Sequence, residues 1–233
     1  AFDESGSLAV EINTEALPLE TMTGFIATHG LADSGRSLGD YLTPATRETL
    51  ARSGLNQPEY ARYKPWLAAL AIQVAALERH GFSAQYGLDK HFLELAAARK
   101  LPIVELETFD EQMNLLAGLS EAEAEVFLQA TLKEAADLPT LVAGFWSAWL
   151  RGDAPGFAEL FFKDYNQYPE LSGLMEKIIT RRNHTMLERL GPLLAAPGRP
   201  RFVVIGAGHL VGPEGLLTLL AARNFQVDQL RKP

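Results

Sequence analysis

Three groups of residues in this 233-residue chain have the types and spacing to do chemistry. The sharpest is Gly206-Ala207-Gly208-His209, which follows the apolar run Arg201 to Ile205 and precedes a helical stretch. In open α/β sheets, ligands bind outside the carboxyl ends of the strands. Glycines there let the backbone turn tightly, and His209 would project from the edge as a metal ligand or an acid–base group. Two other readings stay open for this turn. Gly206, Gly208 and Gly212 are spaced G-x-G-x-x-x-G, one residue longer than a dinucleotide fingerprint, and Asp228 falls about 20 residues on, where that fingerprint places its acid. A plain structural turn with a satisfied histidine is the other. The second group is Glu11, a charge in the otherwise apolar Val10-Glu11-Ile12. On a central strand it needs a partner or a metal; on an edge strand it simply meets water. The third is Arg181-Arg182-Asn183-His184, in the middle of a helical stretch. Asn183 is a poor helix former there, which suggests a polar task, and an arginine can hold a carboxylate or steady developing negative charge. The competing reading is a solvated basic turn. Gly87-Leu88-Asp89 reads as an aspartate capping a helix, or less simply as an acid–histidine pair with His91.

Composition bounds these readings. The chain is 47% apolar and 21% charged, with 21 basic against 29 acidic residues and a net charge of −8. Disorder is excluded by the apolar content. Nucleic-acid binding needs a basic patch, and Arg181-Arg182 is too short for one. The sequence has no cysteine, so disulfides, thiolate zinc sites and cysteine nucleophiles are excluded. No run approaches the 18 or more apolar residues of a membrane span. H-E-x-x-H and P-loop motifs are absent.

The elements that must position the candidate residues read as follows. Alternation over residues 7–13 predicts a strand that carries Glu11. Helices are predicted from Thr43-Pro44 to about Gly54, from Pro65 to Arg79, over residues 88–100, 110–119 and, behind a Ser120/Glu123 capping box, onward to about Lys163. Residues 102–106 read as a second strand. A long helix is expected over 171–194, and Pro197-Gly198-Arg199-Pro200 breaks it. The end of the chain reads as a βαβ unit: strand 201–205, helix 213–223 capped by Asn224, and a last strand 225–230. Trp66, Trp146 and Trp149 read as core. The expected fold is therefore one α/β domain over 1–233, helix-rich, with a central sheet of at least four strands (about 7–13, 102–106 and 201–231) and a helical insertion over about 42–195.

An ordered set of fragments resembles the TraB/GumN/Tiki family, its bacterial GumN-like branch above all. The fragments are Val10-Glu11-Ile12-Asn13, Lys64-Pro65-Trp66, Gly87-Leu88-Asp89 with Phe92, Val104-Glu105-Leu106-Glu107 with Gln112, Trp149 with Gly152-Asp153, Arg182-Asn183, and Gly206 to Gly212 (GAGHLVG). The resemblance implies an EreA/ChaN-like or Tiki-like fold and metal-dependent hydrolysis, peptidase-like in the animal branch. It implies that His209 belongs to the second of two G-x-x-H motifs, that Glu11 is the strand glutamate, and that Arg182 and Asn183 are a polar pair near the site. Manganese, cobalt or zinc would be held by His209 and Glu11, with Gly206, Gly208 and Gly212 shaping the motif. A peptide or other small acyl compound would be the substrate, and a periplasmic, envelope or secreted location is implied, with a cytoplasmic one not excluded. Two departures stand out. The family's first G-x-x-H is expected upstream of the Glu11 strand, where only ten residues precede Glu11, and Asn13 stands where the family has aspartate. Truncation of the chain would account for the first, as would loss of that half of the site, which would leave the chain inactive. A non-catalytic envelope protein that binds a ligand or partner, linked to polysaccharide or surface processes, is the competing expectation. Oligomerisation is left open.

Overall fold

The computed structural model describes residues 1–167 and 169–230, with the side chains of 164–167 and 169 left aside. In chain order it forms β1 (Ser7–Val10), α1 (Leu19–Phe25), α2 (Pro44–Arg52), α3 (Pro65–Arg79), α4 (Leu88–Ala98) and β2 (Ile103–Glu105). There follow α5 (Phe109–Ala117), α6 (Glu121–Ala136), α7 (Leu138–Arg151), α8 (Ala154–Gln167), α9 (Pro169–Met175), α10 (Arg181–Ala195), β3 (Arg201–Val204), α11 (Ala207–Leu210) and α12 (Leu216–Ala222). Among the described residues no helix is long and apolar enough to cross a membrane.

The chain divides into two compact units. One comprises residues 1–16, 84–111 and 144–233; the other comprises 17–83 and 112–143. The stretch 42–195 thus contributes to both.

The first unit holds the sheet, ordered β2-β1-β3 and wholly parallel. Parallel sheets are covered on both faces and their strands read as continuous apolar runs. Every residue of β1 is buried. Leu8 and Val10 point to one face, where Leu93 and Ala96 of α4 cover them with Phe2, Phe92 and Phe202 alongside. Ala9 points to the other, onto Met186, Leu187 and Leu190 of α10 and Leu216 and Leu220 of α12. This two-residue alternation makes β1 the spine of an α/β/α sandwich.

The sheet has three strands among the described residues, not the four expected. Residues 225–230 form no strand. Phe225 joins the core cluster, but Val227 and Leu230 are exposed. The segment is held by Gln229, which donates to the Gly152 carbonyl, and by a local Gln226–Asp228 hydrogen bond. The alternation therefore buries no face, and without a face or a partner strand the β-propensity of Phe and Val has nothing to act on. The C-terminal segment is β3, α11 and α12 without the closing strand of a βαβ unit.

The second unit is helical. Ala68, Ala69, Ile72 and Ala76 of α3 pack on Leu128 and Leu132 of α6, with Leu38, Leu42, Leu50 and Leu55 completing the core. Pro65 starts α3 rather than kinking it, and Ser120 and Glu123 close a reciprocal capping box at α6. Trp66 is buried in this unit, but Trp146 and Trp149 on α7 are exposed, contrary to the core reading. The reason is helical phase. Ala148 is the buried residue of α7, and Trp146, Trp149 and Leu150 fall away from it.

Candidate functional site at the carboxyl edge of the sheet

β1 is the central strand, and Glu11 is the residue that follows it. Its carbonyl accepts from the Glu107 N–H at 2.9 Å, next to the Leu106 N–H on the Val10 carbonyl, so main-chain bonding runs two residues past β2. The main chain thus sets Glu11 and Glu107 side by side at the carboxyl edge. β3 ends beside them, and Gly206 N–H donates to Glu11 Oε1 at 2.7 Å.

α10 brings the cation. A π-turn over Glu176–Thr180 precedes it, and π-turns inside helices recur at functional sites. Arg182 Nη2 donates to Glu11 Oε2 at 2.8 Å and to Glu107 Oε2 at 2.7 Å, Nε donates to Glu107 Oε1 at 2.9 Å, and Nη1 donates to the Ile178 carbonyl in the π-turn. Glu107 is buried, only 3% exposed. A carboxylate so desolvated is tolerable because the guanidinium grips it with two parallel bonds. Burial alone would lower the Arg182 pKa, but the bonds and charge of Glu107, with Glu11 behind them, hold it above its usual value.

His209 is set by Asn183, which is fully buried. Asn183 Nδ2 donates to the Glu214 carbonyl at 2.6 Å, and a carbonyl only accepts. That orients the amide so that Oδ1 faces His209 Nδ1, at 2.6 Å. An amide oxygen likewise only accepts, so Nδ1 carries the proton. The lone pair of the neutral imidazole then lies on Nε2, which stands 3.8 Å from Glu11 Oε2. Burial holds the His209 pKa below its usual value; the charge of Glu11 opposes this and that of Arg182 adds to it.

The glycines of the turn are demanded by neighbours. A Cβ on Gly208 would lie 2.5 Å from Phe161 Cζ, and Gly212 has a left-handed φ of 87° with Phe162 2.6 Å from where its Cβ would be. The turn itself is a single helical turn, α11, and His209 is its buried residue. Close packing of glycine on α8 rather than a phosphate cradle accounts for two of the three glycines.

The structure thus gathers Glu11, Arg182, Asn183, His209 and Gly206 at one point. It adds Glu107, which residue reading treated as a fragment and not as a site residue. The signal was present: Ile103 to Glu107 reads apolar, apolar, acid, apolar, acid, and a second acid just past a strand that opens on apolar residues calls for a partner. Glu105 binds the Asn13 N–H instead. Asp89 is not the cap of α4; Gly87 occupies that position and Asp89 sits in the first turn. Desolvation, and then the charge of Glu11, raise the Asp89 pKa. The ring of His91 lies against Phe92.

A sequence profile of the TraB/PrgY/gumN family matches residues 1–229. The chain belongs to the TraB/PrgY/gumN family. It is similar to the uncharacterized protein YbaP of Escherichia coli K12, at 25% identity over 167 residues, which is 72% of this chain and 60% of that protein. The uncharacterized protein YbaP of Shigella flexneri matches at the same values. The matched stretch thus spans less than two thirds of the length of these relatives. No solved structure matches the chain significantly.

The donor chemistry of the site suits a divalent cation. Zinc bonds imidazole nitrogen at about 2.0–2.1 Å and carboxylate oxygen at about 2.0–2.2 Å, so donors 3.8 Å apart can share one ion. The charges agree: two carboxylates, one guanidinium and a neutral imidazole leave the cluster one negative charge in excess. Asn13, two residues beyond Glu11, has a buried side-chain oxygen without a hydrogen-bond partner among the described residues. Among the described residues there is no cluster of three His, Cys, Asp or Glu able to hold a metal, so this chain's described part of the site is two donors.

Proposed function

We propose that this TraB-family chain carries the strand-edge part of a metal-dependent hydrolase site, with a peptide or another small acyl compound as substrate. The observation that carries the proposal is the His209–Glu11 pair, an imidazole Nε2 whose tautomer is dictated by Asn183, facing a carboxylate oxygen at 3.8 Å beyond the central strand. Outer partners that fix ligand tautomers in this way are the usual companions of metal-binding histidines. His209 and Glu11 would hold manganese, cobalt or zinc. A cation there supplies Lewis-acid polarisation of an acyl carbonyl.

The chain's own residues do the rest. Asn183 keeps Nδ1 protonated and so keeps Nε2 a donor of electrons. Glu11 is aimed by two contacts, Gly206 N–H on Oε1 and Arg182 on Oε2. In the alternative to holding the cation, Glu11 would act as the general base that takes a proton from an attacking water. Among the described residues, four of the five guanidinium N–H groups of Arg182 are engaged, so its main part is to position Glu11 and Glu107, with one N–H of Nη1 left to steady an oxyanion. Glu107 anchors Arg182. The family's envelope setting belongs to the same proposal and rests on the resemblance alone.

The test is hydrolysis of a peptide and acyl-ester panel by protein loaded with manganese, cobalt or zinc. The proposal expects turnover that Glu11→Gln and His209→Ala abolish while the fold persists. Metal-independent turnover, or turnover unchanged in both variants, contradicts it. The two-donor count favours the second reading, a non-catalytic ligand-binding protein, which expects no turnover with any metal.

A further inference from the structure

The helical unit contains a hollow of about 250 Å³ that the carboxyl-edge site does not use. Its floor is Leu38, Leu42 and Leu50, each at least nine-tenths buried. Its wall carries Arg47, Asn56 and Gln57. We propose that this hollow is a binding site for a small carboxylic acid with an apolar body, held by Arg47 at the rim and by the leucines beneath.

Three observations support it. First, Arg47 has no bonded partner among the described residues, although its charge acts on Asp40. The acids near it on the same stretch are occupied. Asp40 accepts from the Ser37 N–H and hydroxyl, Glu48 pairs with Arg52, and Glu125 accepts from Thr43 and Thr46. Second, Asn56 and Gln57 likewise have side chains without a hydrogen bond among the described residues, which adds two amide donors to the guanidinium. Pockets with an apolar lining and a few convergent polar groups are the common form of a small-molecule site. Third, the stem of Arg47 lies over Gly39, its Cδ 3.6 Å from where a Cβ would be. A small residue therefore lies beneath the Arg47 stem.

The volume sets the size of the guest. A cavity of about 150 Å³ accepts benzene, so this one has room for a body of about eight to ten heavy atoms. A carboxylate suits the head because a guanidinium binds it with two parallel bonds.

The experiment is backbone amide NMR of the full chain titrated with propanoate, octanoate and 3-phenylpropanoate, with 3-phenylpropanamide as the neutral control. The proposal expects shifts centred on Gly39, Arg47, Asn56, Gln57 and Ala61 with the longer acids. It expects Arg47→Gln to weaken binding at least ten-fold and the amide to bind at least ten-fold more weakly than the acid. Ala61→Trp, at an exposed position on the rim, should abolish the shifts without changing the melting temperature. Absence of pocket shifts with all three acids at millimolar concentration overturns the proposal. Equal binding by Arg47→Gln, or by the amide, overturns the assignment of the head group. Shifts centred on His209 instead would place the acid elsewhere and overturn it too.

Discussion

The two units bury different kinds of polar residue. In the helical unit the buried polar side chains are the hydroxyls of Thr46 and Thr131. Thr131 donates to the Phe127 carbonyl one turn back, and Thr46 donates to Glu125 and accepts from Gln129. Such bonds only complete a core. In the sheet unit the buried polar residues include Glu107, Asn183 and His209, two of them ionisable. Ionisable groups are costly to bury and weak evidence of stability even when paired. A core that needed only to be stable would place apolar residues there. The contrast supports the proposal that the carboxyl edge of β1 carries the hydrolase site, with α3 and α6 serving as packing.

The comparison can be broken most sharply at Arg182. Arg182→Met leaves Glu107 buried without its cation, and removing one partner of a buried pair costs about 3–5 kcal/mol. Urea denaturation should show a loss of that order, and Arg182→Met with Glu107→Gln should recover much of it. A loss below about 1 kcal/mol would mean that the cluster is not desolvated. In the helical unit Thr46→Val should cost about 1–2 kcal/mol, the scale of an unmade hydrogen bond, with no effect on metal binding. An effect on metal binding would show that the units do not divide the work as argued.

The smallest effect belongs to an exposed pair in the sheet unit. Arg189 grips Glu111, and this bond, with the Thr108 N–H next, lowers the Glu111 pKa to about 2. The folded pKa is below the unfolded value of 4.5, so the unfolded state binds more protons between them. The contribution is present above about pH 4.5 and fades as the pH falls towards 2. Because solvent screens the pair, Glu111→Gln should cost less than about 1 kcal/mol at pH 7. The difference from the native chain should vanish near pH 2. A larger, pH-independent cost would point to packing.

Much of the frame was legible before the coordinates. Residues 7–13 read as a strand through alternation and 201–205 through a continuous apolar run; both form strands, over Ser7–Val10 and Arg201–Val204. Pro65 and the Ser120/Glu123 box mark helix starts through local bonds. Glu11 left two branches open, and only the strand order, with β1 central, chooses between them. Glu107 was passed over because its partner is 75 residues away in sequence, and no local pattern encodes that. The strand expected at 225–230 and the core role expected of Trp146 and Trp149 failed alike. Each was read from residue type, where burial depends on which face meets a neighbour.

The central claim is that Glu11 and His209 share one cation, with Asn183 holding the imidazole for it. A cobalt(II) titration followed by visible spectroscopy and calorimetry tests it most directly, on the native chain and on His209→Ala, Glu11→Gln and Asn183→Ala. The account predicts one bound equivalent with a nitrogen-ligated spectrum, lost in the first two variants and weakened about 10–100-fold in the third. Cobalt bound with the same stoichiometry and spectrum in His209→Ala, or no cobalt bound by the native chain, would contradict it.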